Sequence, residues 1–202
     1  MTTSNQEVHT SRDRIEAWFR DRLRTRPLRP AAAESRLRAV EADLAVALPT
    51  DVHEWWGLDR VSADYWIPGP FAPVSLEEAL ETRDIWLLIA EEEGASFDAN
   101  GEPEPRFLPL FLPIAMSPGG DGLIVDLRPG DSHGAVFRWD HETWLLGVPL
   151  WSSVGSMLQD IAAALESGTP VLLRHAALGG TEETCVAVVD HAGDLVWDAA
   201  EH

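Results

Sequence analysis

Between Asp121 and His141 the chain sets Asp121, Asp126, Asp131, His133, Asp140 and His141 close together. Carboxylates and imidazoles at such spacing suit a divalent-cation site or general acid–base work, provided strand ends bring them together. The competing reading is that Asp is a turn residue. Asp121 and Asp131 sit in Gly-containing turns, where a carboxylate accepts backbone N–H bonds, while Asp126 and Asp140 flank strands. Other chemistries fail on their own spacing. His53-Glu54-Trp55-Trp56-Gly57 and His141-Glu142-Thr143-Trp144-Leu145 start like the HExxH zinc motif but have no ligand at the fifth position. Ser153-Val154-Gly155 has Trp151 where a nucleophile elbow needs its first Gly. All 15 bases are Arg, and without Lys there is no P-loop, no Schiff base and no lysine-borne cofactor. Cys185 is the one cysteine, so neither an internal disulfide nor a multi-cysteine zinc site forms. The expectation is a chain with no catalytic residue, no metal and no cofactor. The alternatives are a metal- or substrate-dependent enzyme built on the Asp/His turns, or an interaction module with no toxin partner.

Charge says more about partners. The 34 acids outnumber the 15 bases, for a net charge of −19. Residues 1–38 hold nine Arg and five acids, a balance of +4; residues 39–202 hold six Arg and 29 acids, a balance of −23. Such a body repels nucleic acid and anionic membranes; it favours a basic protein partner, or it only keeps the protein soluble. Arg20, Arg22, Arg24, Arg26 and Arg29 could touch nucleic acid. Interspersed acids favour the plainer reading, in which they offset a helix dipole or rest on the protein's own acidic surface. The densest acidic run is Glu91, Glu92 and Glu93, with Glu102 and Glu104 beyond it, and these are the expected partner contacts. The chain has nine Trp, a residue common at binding hot spots. Trp55 and Trp56 are adjacent and cannot share one helix face, so one of them is expected to stand partly exposed as an apolar anchor.

These residues need elements to position them. The 202 residues, 45 % hydrophobic and 24 % charged, suit one domain or one domain with a small extension. No apolar run nears the ~20 residues of a membrane span, and the N-terminal residues lack the apolar stretch of a secretory signal. With one cysteine, the expected compartment is the cytoplasm. Residues 1–10 read as structureless. Ile15, Trp18, Phe19 and Leu23 recur at helical spacing, and a second helix fits Ala31–Ala47 up to Leu48-Pro49. Thr50 or Asp51 caps a short helix ending at Gly57. Ser75 and Glu78 form a capping box that opens a helix through Leu80, Trp86 and Ile89. Residues 91–105 read as a solvated loop. Strands are expected at 107–114, 122–127 and 134–140, one more in 144–151, then a helix over Val154–Ser167 and a hairpin at 184–198. Pro109 and Pro113 suit an edge strand. Helices, then strands on tight turns, then a covering helix define an α+β fold with antiparallel neighbours.

Several landmarks resemble the SUKH superfamily, which joins fungal cell-wall assembly regulators of Smi/Knr type to bacterial toxin-immunity proteins. They are Leu48-Pro49 before the aromatic helix Val52–Trp56, the capped helix at Ser75, Gly119-Gly120-Asp121 with strand Leu123–Leu127 containing Asp126, and Gly134-Ala135-Val136 leading to Trp139-Asp140. Leu58-Asp59-Arg60-Val61 stands where the family often has Asn-Gly. The resemblance covers about residues 35–167. It implies a mixed, mostly antiparallel sheet with helices packed on one side, and no catalytic machinery. It also implies function by binding another protein, such as a toxin. The expected organisation is an Arg-rich helical extension over 1–30, the SUKH-like domain over 31–170 and a C-terminal hairpin extension over 171–202.

Overall fold

The structure is a computed structural model. It describes the chain except residues 1–2, 24–27, 59, 62–64, 70, 95, 98–102, 105–106, 145, 147, 175–181 and 201–202. Its helices are α1 (Thr3–Arg22), α2 (Glu34–Leu44), α3 (Thr50–Gly57), α4 (Leu76–Glu93) and α5 (Val154–Ser167). Four strands build the central sheet: β3 (Ala72–Pro73), β6 (Phe111–Met116), β7 (Gly122–Asp126) and β8 (Val136–Trp139), in the order β3-β6-β7-β8. Strands β9 (Val171–Arg174), β10 (Glu183–Val189) and β11 (Leu195–Ala199) form a second sheet in the order β11-β10-β9. Two short pairs complete the list: β1 (Leu28–Arg29) with β2 (Arg60–Val61), and β4 (Ser96–Phe97) with β5 (Pro103–Glu104). Every strand pair described is antiparallel, in keeping with the α+β class.

The alternation of side chains along a strand gives the central sheet two buried faces. Leu112, Ile114, Leu123, Val125 and Val136 join the core formed with α1, α2, α3 and α5. Phe111, Ile124, Phe137 and Trp139 face the other way and are closed over by Phe107 and by Trp86 of α4. Helices thus cover one face as a layer, and α4 reaches round to the second face with one large indole. Strand β7 is buried on both sides, which explains its unbroken apolar run.

Four expectations are corrected. Helix α1 starts at Thr3, because Val8 and Ser11 extend the stripe of Ile15 and Phe19 and are all buried. A single Val among polar residues gave the pattern too little weight. Helix α4 runs to Glu93 through the start of the expected loop, and β4 and β5 occupy part of the rest. Glu is a good helix former, so an acidic run does not by itself end a helix. Pro113 lies in an inner strand, not an edge one. It is tolerated because β3 pairs only with Ala115 and Met116, and the β6–β7 register shifts between Pro113 and Ala115. The strand expected in 144–151 is reduced to a bridge between Val136 and Trp151.

The segments flanking the central part share its core. Val8, Ile15 and Phe19 at one end, and Val171 and Cys185 at the other, belong to the same apolar cluster. Trp197 donates its indole N–H to the Trp66 carbonyl at 3.1 Å. Arg14 of α1 donates Nε to Glu166 of α5 at 2.9 Å and ties the two helices together.

Candidate interaction site

Of the six Asp/His residues, Asp121 and His141 come together, and no third one joins them. Asp121 accepts from Arg138 Nη2 at 2.9 Å, and its other oxygen lies 3.0 Å from His141 Nδ1. Burial pushes the Asp121 carboxyl up, but the bonds from His141 and Arg138 outweigh it and hold the group below the usual Asp range. Asp126, buried at the end of β7, takes a bidentate guanidinium from Arg128, whose Cζ also stands 4.9 Å from the Phe111 ring centre. The hydrogen bond to Asp126 raises the Arg128 pKa above its usual value. Asp140 caps its own turn by accepting from the Glu142 and Thr143 N–H groups at 3.0 and 2.9 Å. Among the described residues no three His, Cys, Asp or Glu side chains come close enough to hold a metal ion. The hollow between the N-terminal ends of α2 and α4 has two charged residues in its lining, Arg36 and Glu77, and they pair with each other at 3.6 Å.

The motif residues instead tie the frame together. Gly120 takes φ +98° in the β6–β7 turn, where a Cβ would sit 3.4 Å from the His141 ring. Gly134 has φ +85°, and a Cβ there would stand 3.3 Å from Pro49 Cγ. The Gly134 N–H bonds the Asp126 carbonyl at 2.7 Å. Leu48-Pro49, Asp126 and Gly134 therefore meet at one corner, where α3 starts against the β7–β8 turn. Neither Thr50 nor Asp51 caps α3: the helix starts at Thr50 with Pro49 in the cap position and no side-chain cap bond, and Asp51, inside the first turn, accepts from the Val52 N–H at 3.0 Å. Its second oxygen accepts from Gly155 N–H at 2.9 Å, in the first turn of α5. One buried carboxylate thus serves two helix N-termini, where its charge suits both dipoles.

The aromatic expectation is overturned. Trp55 and Trp56 are 4 % and 0 % exposed, so neither projects from α3. The helix packs against α1, α2 and α5, Trp55 tilts against Trp66, and Trp56 Nε1 donates to the Val74 carbonyl at 3.2 Å. With both sides of α3 covered, adjacent indoles both find burial. All nine Trp are buried or half-buried, which places them in the cores. Cys185 is fully buried in β10, and burial pushes its thiol up to about 12.

Glu91 and Glu92 are exposed in the last turn of α4, and Glu93 ends that helix. Glu104 is in β5; its side chain and that of Glu93 lie outside the described residues, as does Glu102 altogether. The same outward side of α4 carries Glu77, Glu81 and Asp84, also exposed. Asp84 pairs with its neighbour Arg83, whereas Glu81, Glu91 and Glu92 have no ion-pair partner among the described residues. Sequence reading missed the upper part of this stripe, although the steps 77, 81, 84, 88, 91 are those of one helix face.

Fold and surface together define an α+β domain with a row of exposed acids along α4. Residues 31–160 match the model of the SMI1 / KNR4 family (SUKH-1). The chain belongs to that family, and the resemblance carried by Leu48-Pro49, Asp121, Asp126 and Gly134 is borne out. Among curated proteins, none matches the chain. No helix among the described residues is long and apolar enough to cross a membrane.

Proposed function

We propose that this chain is a non-enzymatic, cytoplasmic protein-binding domain that captures a basic protein, and that it serves as an immunity protein against a nuclease-like toxin. The observation that carries the reading is the outward face of α4, where Glu81, Glu91 and Glu92 stand exposed and without an ion-pair partner among the described residues. Residues 39–202, at −23, surround that face with a field of the same sign. A nuclease holds phosphates on Arg and Lys. An acidic cover offers those side chains the same charge, blocks the site and is steered to it rapidly. Family membership supports a binding role, and Asp126, Asp121 and Asp140 are taken up by Arg128, Arg138 and turn N–H groups.

The test is co-purification from the native cell at low salt, followed by identification of what binds and assay of its activity. The expected partner is a basic protein whose nucleic-acid chemistry stops when this chain is added. A basic partner with no such activity would remove the immunity role and leave the capture. Partners that are all acidic or neutral would remove both.

A further inference from the structure

The outward face of α4 also carries two apolar side chains. Ile85 is 50 % exposed and Leu88 is 56 %, the two highest values among the exposed large hydrophobic residues described. Three residues apart on a helix, they are surface neighbours. Glu81 stands one turn before Ile85 and Asp84 one turn before Leu88, and Glu91 and Glu92 one turn after Leu88, all exposed. Leu76, Ala79 and Trp86, on the inward side, are buried. The result is an apolar pair framed by carboxylates at both ends.

Neither feature serves the fold. An apolar side chain stabilises in proportion to the area it removes from water, and these two remain half in it. Acids in the last turn of a helix face the negative end of its dipole, and α4 has no base there to compensate. Local rules broken without gain to the fold are expected at functional sites. An apolar centre with a charged rim is the anatomy of a binding surface.

The geometry points to Ile85 and Leu88 as the apolar anchor, and to Glu81, Asp84, Glu91 and Glu92 as the rim, of the surface that docks the basic partner. This rests on the capture reading above and adds the place and the anchor. The occupant is a folded cationic protein with an apolar socket bordered by Arg or Lys. A second copy using the same face would set carboxylate against carboxylate, since a two-fold interface pairs a patch with itself. A small polycation satisfies the rim but leaves Ile85 and Leu88 in water.

A photo-crosslinking benzophenone side chain is placed at position 88 and, in parallel, at the exposed Val196 of β11, in the full chain in its native cell. The adduct is identified, and the purified partner is then used for kinetics. The expected adduct forms from position 88 and not from 196, and it contains a basic protein. Leu88→Ser and Ile85→Ser are expected to speed dissociation of that partner at least ~tenfold, as loss of an anchor does. Melting at the wild-type temperature checks that they fold, and Leu88→Gln serves if Leu88→Ser does not. A basic partner that cross-links from 196, or that leaves Leu88→Ser within about twofold of wild type, would overturn this anchor while the capture reading stands. An adduct of twice the chain's mass would overturn it in favour of a second copy. An acidic partner would overturn both the anchor and the capture reading.

Discussion

Asp51 holds the frame through a contact that no local pattern announces. Its carboxylate bonds Gly155 N–H across 104 residues of sequence, in a buried setting. Removing it leaves an orphan donor at the first turn of α5, so Asp51→Ala is expected to cost about 1–3 kcal/mol. Asp51→Asn keeps an acceptor and should cost less; urea unfolding midpoints measure both. Asp121 is different, because its charge is engaged by Arg138 and His141. Its folded pKa is depressed, so its stabilisation is complete above the unfolded Asp value of ~3.9 and is lost as pH falls through the lower folded value. Asp121→Asn is therefore expected to lower stability at neutral pH and to flatten the acid limb of a stability–pH curve below pH ~4. An unchanged acid limb would mean that the ion pairs contribute nothing. Residue roles were legible where the partner is near in sequence. The Ser75–Glu78 capping box forms as its spacing dictates, with bonds of 2.7 and 3.1 Å. The roles of Asp51, Trp55 and Trp56 depend on elements that only folding brings together.

Helix α4 carries charges that its own fold does not favour. The sequence marks its start, because capping chemistry is local, but not its end, because Glu both forms helices and disfavours their C-termini. Glu91 and Glu92 sit in the unfavourable last turn. Their replacement by Gln is expected to raise stability by about 0.3–1 kcal/mol per charge at low salt, measured by thermal or urea unfolding. The same double variant should associate with the basic partner more slowly. A variant that loses stability would show that these carboxylates hold the fold and would weaken their role as a rim. The other helices follow amphipathic patterning closely. Helix α5 spans Val154–Ser167 as its stripe of Met157, Leu158, Ile161 and Leu165 requires, and all four are buried. Helix α1 begins earlier than its sequence suggests, since the burial of Val8 depends on the core shared with α5.

At the scale of the whole molecule, the α+β class was legible because period-3.6 segments precede period-2 segments. The two-faced burial of the central sheet was not, since nothing in the strands themselves says that Trp86 arrives from α4. Net charge is the property that acts over the longest range. At −19 the chain repels itself, so added salt is expected to raise its melting temperature even though it weakens individual surface ion pairs. In the proposed capture the same field steers the partner. Screening shortens from ~30 Å at 0.01 M to ~3 Å at 1 M ionic strength, so long-range steering fades while contacts within the interface persist. The most direct measurement is the association and dissociation rates of the purified chain and its co-purified partner across that range of salt. Capture by the acidic face predicts that association slows by at least ~tenfold while dissociation changes far less. An association rate indifferent to salt would contradict it.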